Sequence, residues 1–153
     1  MFKDLKYLFG LSKFLFNYYV RDTAFVKSYD LTYRCNLSCK HCYFYKNYSK
    51  STDDSLTDNQ WKEFFIREKM NGVRELHLTG GEPMLRMRVI EFANEIFGER
   101  HVNIYTNGTI PLPPLWRNSF FVSIDGDVET QKKVRGLIIW NKYLQILGMT
   151  KGL

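Results

Sequence analysis

A chain of 153 residues is long enough to bury one core, and 44% hydrophobic with 25% charged residues excludes a disordered tail. Its 22 Lys and Arg against 16 Asp and Glu give +6, a mild excess spread along the chain. That spread reads as a solvated surface ahead of a stripe for nucleic acid or anionic lipid. Three cysteines, an odd number, exclude a closed disulfide framework and point to reduced thiols in a reducing compartment.

Residues 2–20 predict a helix with Leu5, Leu8, Leu11, Leu15 and Tyr18 on one face. Lys3, Asp4, Lys6, Gly10 and Lys13 interrupt its apolar run, so neither a cleavable leader nor a membrane span is expected. Two roles stay open for it: closing one end of the domain, or lying on a membrane surface. Residues 1–22 are set off as this helix, and 23–153 as the main domain.

Phe25 to Leu31 alternate as a strand that leads straight into the cysteines. Lys46 to Ser55 is polar and loop-like, Asp53 and Asp54 included. Thr57 and Gln60 make a capping box for a helix from Asp58 to about Met70, stopped at Asn71-Gly72. A second strand, Arg74 to Thr79, ends at Gly80-Gly81-Glu82-Pro83. Pro83 suits a first helical turn, and Leu85, Val89, Ile90, Ala93, Ile96 and Phe97 repeat at helical spacing up to Gly98. A third strand, Val102 to Tyr105, ends at Thr106-Asn107-Gly108; Pro111, Pro113 and Pro114 then forbid a regular helix. A fourth strand, Phe120 to Ile124, ends at Asp125-Gly126, and Asp127 caps a short helix through Lys133. A last helix is expected over about Trp140 to Leu147.

Strands alternating with helical crossovers predict a parallel α/β sheet, with every polar or glycine-rich motif just after a strand. In such folds that rim carries function. Cys35, Cys39 and Cys42, spaced three and two residues apart, let one short loop converge three thiolates. An iron–sulfur cube normally takes four cysteines, so three would leave one iron open. The plain alternative is structural zinc with His41 as fourth ligand, although neighbouring residues rarely ligate one ion together. Gly80 and Gly81 permit close backbone approach of a ligand, and the Glu82 carboxylate could meet an ammonium group. The plain alternative there is a strand-to-helix turn with Glu82 favouring the helix start. Thr106-Asn107-Gly108 alone would signal a hairpin turn, against which the prolines speak. His77 reads as a packed strand residue rather than a base, and Arg135 as a solvated helix-end charge or a ligand contact.

Cys35-x3-Cys39-x2-Cys42 followed by an aromatic resembles the radical S-adenosylmethionine (SAM) superfamily. His77 to Pro83 (HLTGGEP), Tyr105 to Gly108 (YTNG), Ser123 to Gly126 (SIDG) and Val134-Arg135-Gly136 resemble its later motifs, over about Val26 to Leu147. The resemblance implies a partial TIM-like barrel of about four units after the N-terminal helix. It implies a [4Fe-4S] cluster on Cys35, Cys39 and Cys42. SAM is implied at Gly80, Gly81 and Glu82 through its amino end, near Thr106 and Asn107 through sugar and methionine, and near Ser123, Asp125 and Arg135. The implied chemistry is reductive cleavage of SAM to a 5′-deoxyadenosyl radical that takes hydrogen from an unidentified substrate. A flavodoxin- or ferredoxin-type electron donor and an oxygen-protected cytoplasmic setting, with contact to a membrane surface through the N-terminal helix, follow as expectations. The family core usually has six units, so the chain is expected to be incomplete, with a partner chain a candidate to complete the barrel at the edge of the fourth strand. The rival expectation is a non-catalytic iron–sulfur or zinc module.

Overall fold

The computed structural model describes residues 8–12, 15, 16, 19, 24–48, 54 and 56–136. Residues 8–12, 15, 16 and 19 are helical (α1), and the described apolar side chains there, Phe9 and Tyr19 most of all, are exposed. Leu5 and Tyr18, and the helix expected over 140–147, lie outside the described residues. Among the described residues no helix is long and apolar enough to cross a membrane.

Four strands form one parallel sheet: β1 (Val26–Asp30), β2 (Glu75–Thr79), β3 (Val102–Thr106) and β4 (Ser119–Val122), in the order β1-β2-β3-β4. Strands laid down in chain order are wound one way only, as in a segment of a barrel; a doubly wound sheet would reverse. The helices between them are α2 (Tyr43–Tyr48), α3 (Asp58–Asn71) and α4 (Met87–Phe97), with α5 (Val128–Arg135) after β4. Between β3 and β4 no described residue is helical, as the three prolines require. Since β3 and β4 run parallel, Thr106-Asn107-Gly108 is a strand end and not a hairpin turn.

Helix α3 follows its caps. The Thr57 side chain accepts from Gln60 N–H, the Gln60 side chain accepts from Thr57 N–H, and Gly72 closes the helix in the left-handed region at φ 105°. Trp61 and Phe65 of α3 and Val89, Ile90, Ala93 and Phe97 of α4 pack on one sheet face against Leu76, Leu78, Val102 and Ile104. Tyr29 meets Phe64 edge-to-face at 5.1 Å and Phe65 meets Phe97 at 6.3 Å, so aromatics fill much of this layer.

Three details depart from the sequence reading, the last being a helix that enters the segment from Lys46 expected to be a loop. Leu85 is exposed, because Pro83–Arg86 forms a tighter 3-10 turn that points Met84 inward instead. Asp54 is no solvated loop residue: it accepts from Thr32 Oγ, from Arg34 at 2.7 Å and from Arg86 at 2.7 Å. Arg86 is buried and also bonds Asp58 at 2.6 Å, which fixes the segment before α3 under the start of the cysteine loop. Helix α2 starts directly after Cys42, where the sequence shows no capping residue.

The opposite sheet face is polar. Glu75 accepts from Asn103 at 2.6 Å and lies 3.0 Å from His77 Nε2, and Tyr105 OH lies 3.3 Å from His77 Nδ1. Tyr105 stacks on Phe121 at 4.7 Å.

Candidate functional site

The cysteine loop continues the β1–β2 ladder past its end. Leu31 N–H donates to Thr79 O at 2.9 Å, Gly81 N–H to Thr32 O at 2.8 Å and Glu82 N–H to Arg34 O at 2.9 Å. The two backbones therefore run in contact as far as the residue before Cys35. A Cβ on Gly81 would stand 2.2 Å from Arg34 O, and one on Gly80, where φ is +120°, 2.6 Å from Thr32 O. The glycine pair is thus demanded by the approach of chain to chain at the base of the cysteine loop.

Glu82 is fully buried. Its carboxylate accepts from Met84 N–H at 3.0 Å, Thr106 Oγ at 2.7 Å and Asn107 N–H at 2.8 Å. Burial pushes its pKa up, while these donors and the Arg135 charge pull the other way. The carboxylate that the sequence placed at a ligand's ammonium group is engaged with the chain itself, and it ties the end of β2 to the end of β3. Asn107 extends the tie: its Nδ2 donates to Asn36 Oδ1 at 2.9 Å and approaches Cys35 Sγ at 3.8 Å, and its Oδ1 accepts from Thr109 N–H at 2.9 Å. Thr106 Oγ also accepts from Gly108 N–H at 3.1 Å.

A second group sits at the end of β4. Arg135 grips Asp125 with two nitrogens, and its side chain is only 9% exposed, so it is not the solvated helix-end charge. Asp125 N–H donates to the buried Gln131 at 2.9 Å, and His41 Nε2 lies 3.6 Å from Asp125 Oδ1. Lys40 N–H donates to Val134 O at 3.0 Å, which fastens the loop between Cys39 and Cys42 to α5. Ser123 is exposed, and its N–H donates to Thr106 O at 3.0 Å.

The three cysteines are free thiols: Cys35 exposed, Cys39 buried, Cys42 between. Burial pushes the Cys39 thiol up against the pull of Arg135, with Cys35, Cys42 and Asp125 adding to the rise. Partial burial likewise raises Cys35; the Leu37 N–H and Asn107 oppose it, and the Glu82 and Cys42 charges add to it. The thiols thus feel one another, and loading a metal centre must displace their protons.

Among the described residues no three His, Cys, Asp or Glu side chains are gathered around a single ion. A zinc ion with sulfur ligands at about 2.3 Å draws them together, whereas a cube spreads one cysteine to each of three irons. Three cysteine thiols on one loop supply the donor type a cube takes, and His41 Nε2 lies 3.6 Å from Asp125 Oδ1.

The structure therefore brings Cys35, Gly80, Gly81, Glu82, Thr106 and Asn107 together at the ends of β1, β2 and β3, and Cys39, Asp125 and Arg135 beside α5. The Arg135 charge reaches both Cys39 and Glu82, so the two groups share one field. Sequence reasoning missed Asn36, Thr32, Asp54 and Arg86. Nothing local marks them, because each acts across 20 or more positions of chain or through a backbone loop.

Comparisons with known proteins find relatives and one family. The "Probable GTP 3′,8-cyclase" of Methanopyrus kandleri is 31% identical over 80 residues, 52% of this chain and 25% of its own. The sporulation killing factor maturation protein SkfB of Bacillus subtilis is 32% identical over 116 residues, 69% of this chain and 27% of its own. The chain thus spans about a quarter of the length of these curated relatives. Among solved structures, hexahistidine-tagged anSMEcpe with bound AdoMet aligns with a TM-score of 0.57 at 19% identity, over 81% of this chain and 39% of that one, a likeness of fold. The family model described as the radical SAM superfamily matches residues 29–151, and the chain belongs to that family.

Proposed function

We propose that this chain carries the cluster- and SAM-binding part of a radical SAM enzyme, with Cys35, Cys39 and Cys42 holding a [4Fe-4S] cluster. The observation that supports this most is the locked cysteine loop: in a chain of this family, its base is fused backbone to backbone with Gly80-Gly81-Glu82. When bound, the cluster supplies one electron that cleaves SAM to methionine and a 5′-deoxyadenosyl radical. The chain's own residues orient and tune. Glu82 acts as a positioning residue that holds Thr106 and Asn107 at the rim. Asn107 offers an N–H to the Cys35 sulfur, and Arg135 places positive charge beside Cys39 while its carboxylate partner Asp125 meets His41. SAM is assigned to the rim formed by Gly80, Gly81, Thr106, Asn107, Ser123, Asp125 and Arg135.

Anaerobic reconstitution with iron and sulfide, followed by iron, sulfide and zinc analysis and a 5′-deoxyadenosine assay, tests this. Near four irons per chain, a change in the cluster EPR signal on adding SAM, and 5′-deoxyadenosine formed with dithionite are expected. Iron without any SAM response would leave a binding module, and zinc without sulfide would remove the cluster reading.

A further inference from the structure

The fold does not treat the three cysteines alike. Cys42 N–H donates to Cys39 O at 3.1 Å, so residues 39–42 close a hydrogen-bonded turn. In such a turn the first and fourth Cα atoms lie within about 7 Å, and a disulfide spans about 4.4–6.8 Å between Cα atoms. Cys42 also packs against the buried pair Leu37 and Cys39, as Val122 does, so both sulfurs enter one small apolar cluster. Each side of the turn is anchored: Lys40 N–H donates to Val134 O at 3.0 Å, and Cys42 O accepts from Lys46 N–H at 3.3 Å. Cys35 is held elsewhere. Its Sγ accepts from Leu37 N–H at 3.4 Å and lies 3.8 Å from Asn107 Nδ2, beyond the end of β3. Among the described residues no backbone hydrogen bond joins Cys35 to Cys39 or Cys42. Protein contacts alone therefore bring two of the three thiols together and set the third apart.

We propose that Cys39 and Cys42 form a reversible thiol–disulfide switch on metal loading. A small disulfide oxidant of the glutathione type closes the Cys39–Cys42 bond in the metal-free chain and withdraws two of the three ligands; a dithiol reopens it. The inference rests on the reading that the three cysteines hold the cluster. The chemistry is two successive exchanges. Cys42, the less buried of the pair, attacks one sulfur of the oxidant. A Cys42–glutathione bond forms, the oxidant's S–S bond breaks, and one glutathione leaves. Cys39 then attacks the Cys42 sulfur, the protein disulfide forms, and the second glutathione leaves. The two cysteines lose two electrons and two protons, all of which end on the two glutathione thiols. A turn already closed raises the effective concentration of one thiol at the other, which favours the disulfide over the open dithiol. The closed form also keeps both sulfurs off the path to sulfinic acid, a step that dithiols do not reverse. Oxidation thus leaves the chain recoverable for a later round of loading.

The test uses the full chain, prepared reduced and without metal, and equilibrated anaerobically with mixtures of reduced and oxidised glutathione. Tryptic digestion and tandem mass spectrometry should place the bond between Cys39 and Cys42. C35S should close the same bond, whereas C39S and C42S should stop at a glutathione adduct. The equilibrium constant for closing the bond should be about tenfold or more larger in the folded chain than in the same chain in urea, where the turn is lost. Iron and sulfide uptake by the oxidised chain should fall about tenfold or more and recover after dithiothreitol. The proposal is overturned if Cys35 joins either partner in the main product, if urea leaves the equilibrium unchanged, or if the oxidised chain takes up iron like the reduced one. Bond mapping needs no metal. A reduced chain that pairs Cys39 with Cys42 but takes up no iron would therefore remove the cluster reading, and the loading role with it, by a result distinct from a failure of the pairing.

Discussion

Gly81→Ala is the sharpest test of how the cysteine loop is held. The new methyl would sit 2.2 Å from Arg34 O and 2.6 Å from Arg34 C. An ordinary carbon–oxygen contact begins at about 3.3 Å, so one backbone must retreat by about 1.1 Å. Neither backbone is loose, because Gly81 N–H to Thr32 O and Glu82 N–H to Arg34 O are bonds of 2.8 and 2.9 Å. A retreat of that size breaks both, at about 1 kcal/mol each, and overpacking adds about 1–3 kcal/mol. The sum is about 3–5 kcal/mol, which at about 3 °C per kcal/mol for a chain of this size lowers Tm by about 9–15 °C. Since the retreating residue adjoins Cys35, iron uptake should fall with stability. Gly10→Ala is the control: among the described residues no atom outside its own helical backbone stands within 4 Å of its Cβ, and a helical Gly-to-Ala change should stabilise by about 0.5–1 kcal/mol. Thermal denaturation of the metal-free chain and iron analysis after reconstitution are the assays. A Gly81→Ala protein within about 0.5 kcal/mol of the parent and fully loaded with iron would refute the backbone-contact reasoning.

Three further outcomes are expected. Glu82→Gln keeps one acceptor but turns an amide N–H₂ toward buried donors, so urea denaturation should show a loss of about 2–4 kcal/mol; an unchanged midpoint would mean that Glu82 does not tie β2 to β3. Arg86→Met leaves Asp54 and Asp58 without their shared cation and should cost about 3–5 kcal/mol in the same assay, where a neutral result would count against the network. Burial pushes the Asp54 pKa up, but the Thr32 hydroxyl, Arg86 and Arg34 outweigh it and hold it below the usual range. A depressed carboxylate stabilises above its unfolded pKa and loses that effect as pH falls through its folded one. The stability gap between the parent and Asp54→Asn should therefore be full above about pH 5 and close below about pH 4; a gap independent of pH would refute the pairing.

What was legible in the sequence was local. Thr57, Gln60 and Gly72 announced both ends of α3 because a capping box and a left-handed cap are satisfied within a few residues. The prolines after Gly108 correctly excluded a helix for the same reason. The cysteines could be assigned to one loop, since their spacing is itself the geometry. Contacts between distant segments were not legible. Glu82 could be read from the sequence as a ligand contact or a helix-start residue, but its donors Thr106 and Asn107, a strand away, could not. Gly80 and Gly81 read as glycines that permit close backbone approach, and the sequence did not show that the 32–34 backbone is what approaches their Cβ side. Leu85 was misplaced because helical periodicity assumes 3.6 residues per turn, and the turn at Pro83 is tighter.

Laying the strands side by side in chain order has a consequence for how such a molecule can diversify. The anchoring bonds of the cysteine-bearing segment reach β2, the residues just after β2 and β3, and the last turn of α5, all of them within the first four units. Units appended beyond β4, in this chain or in another, would enlarge the sheet without cutting any of those bonds. Evolution, or a protein engineer, can thus exchange what lies past that border while the anchored cysteine segment is inherited intact.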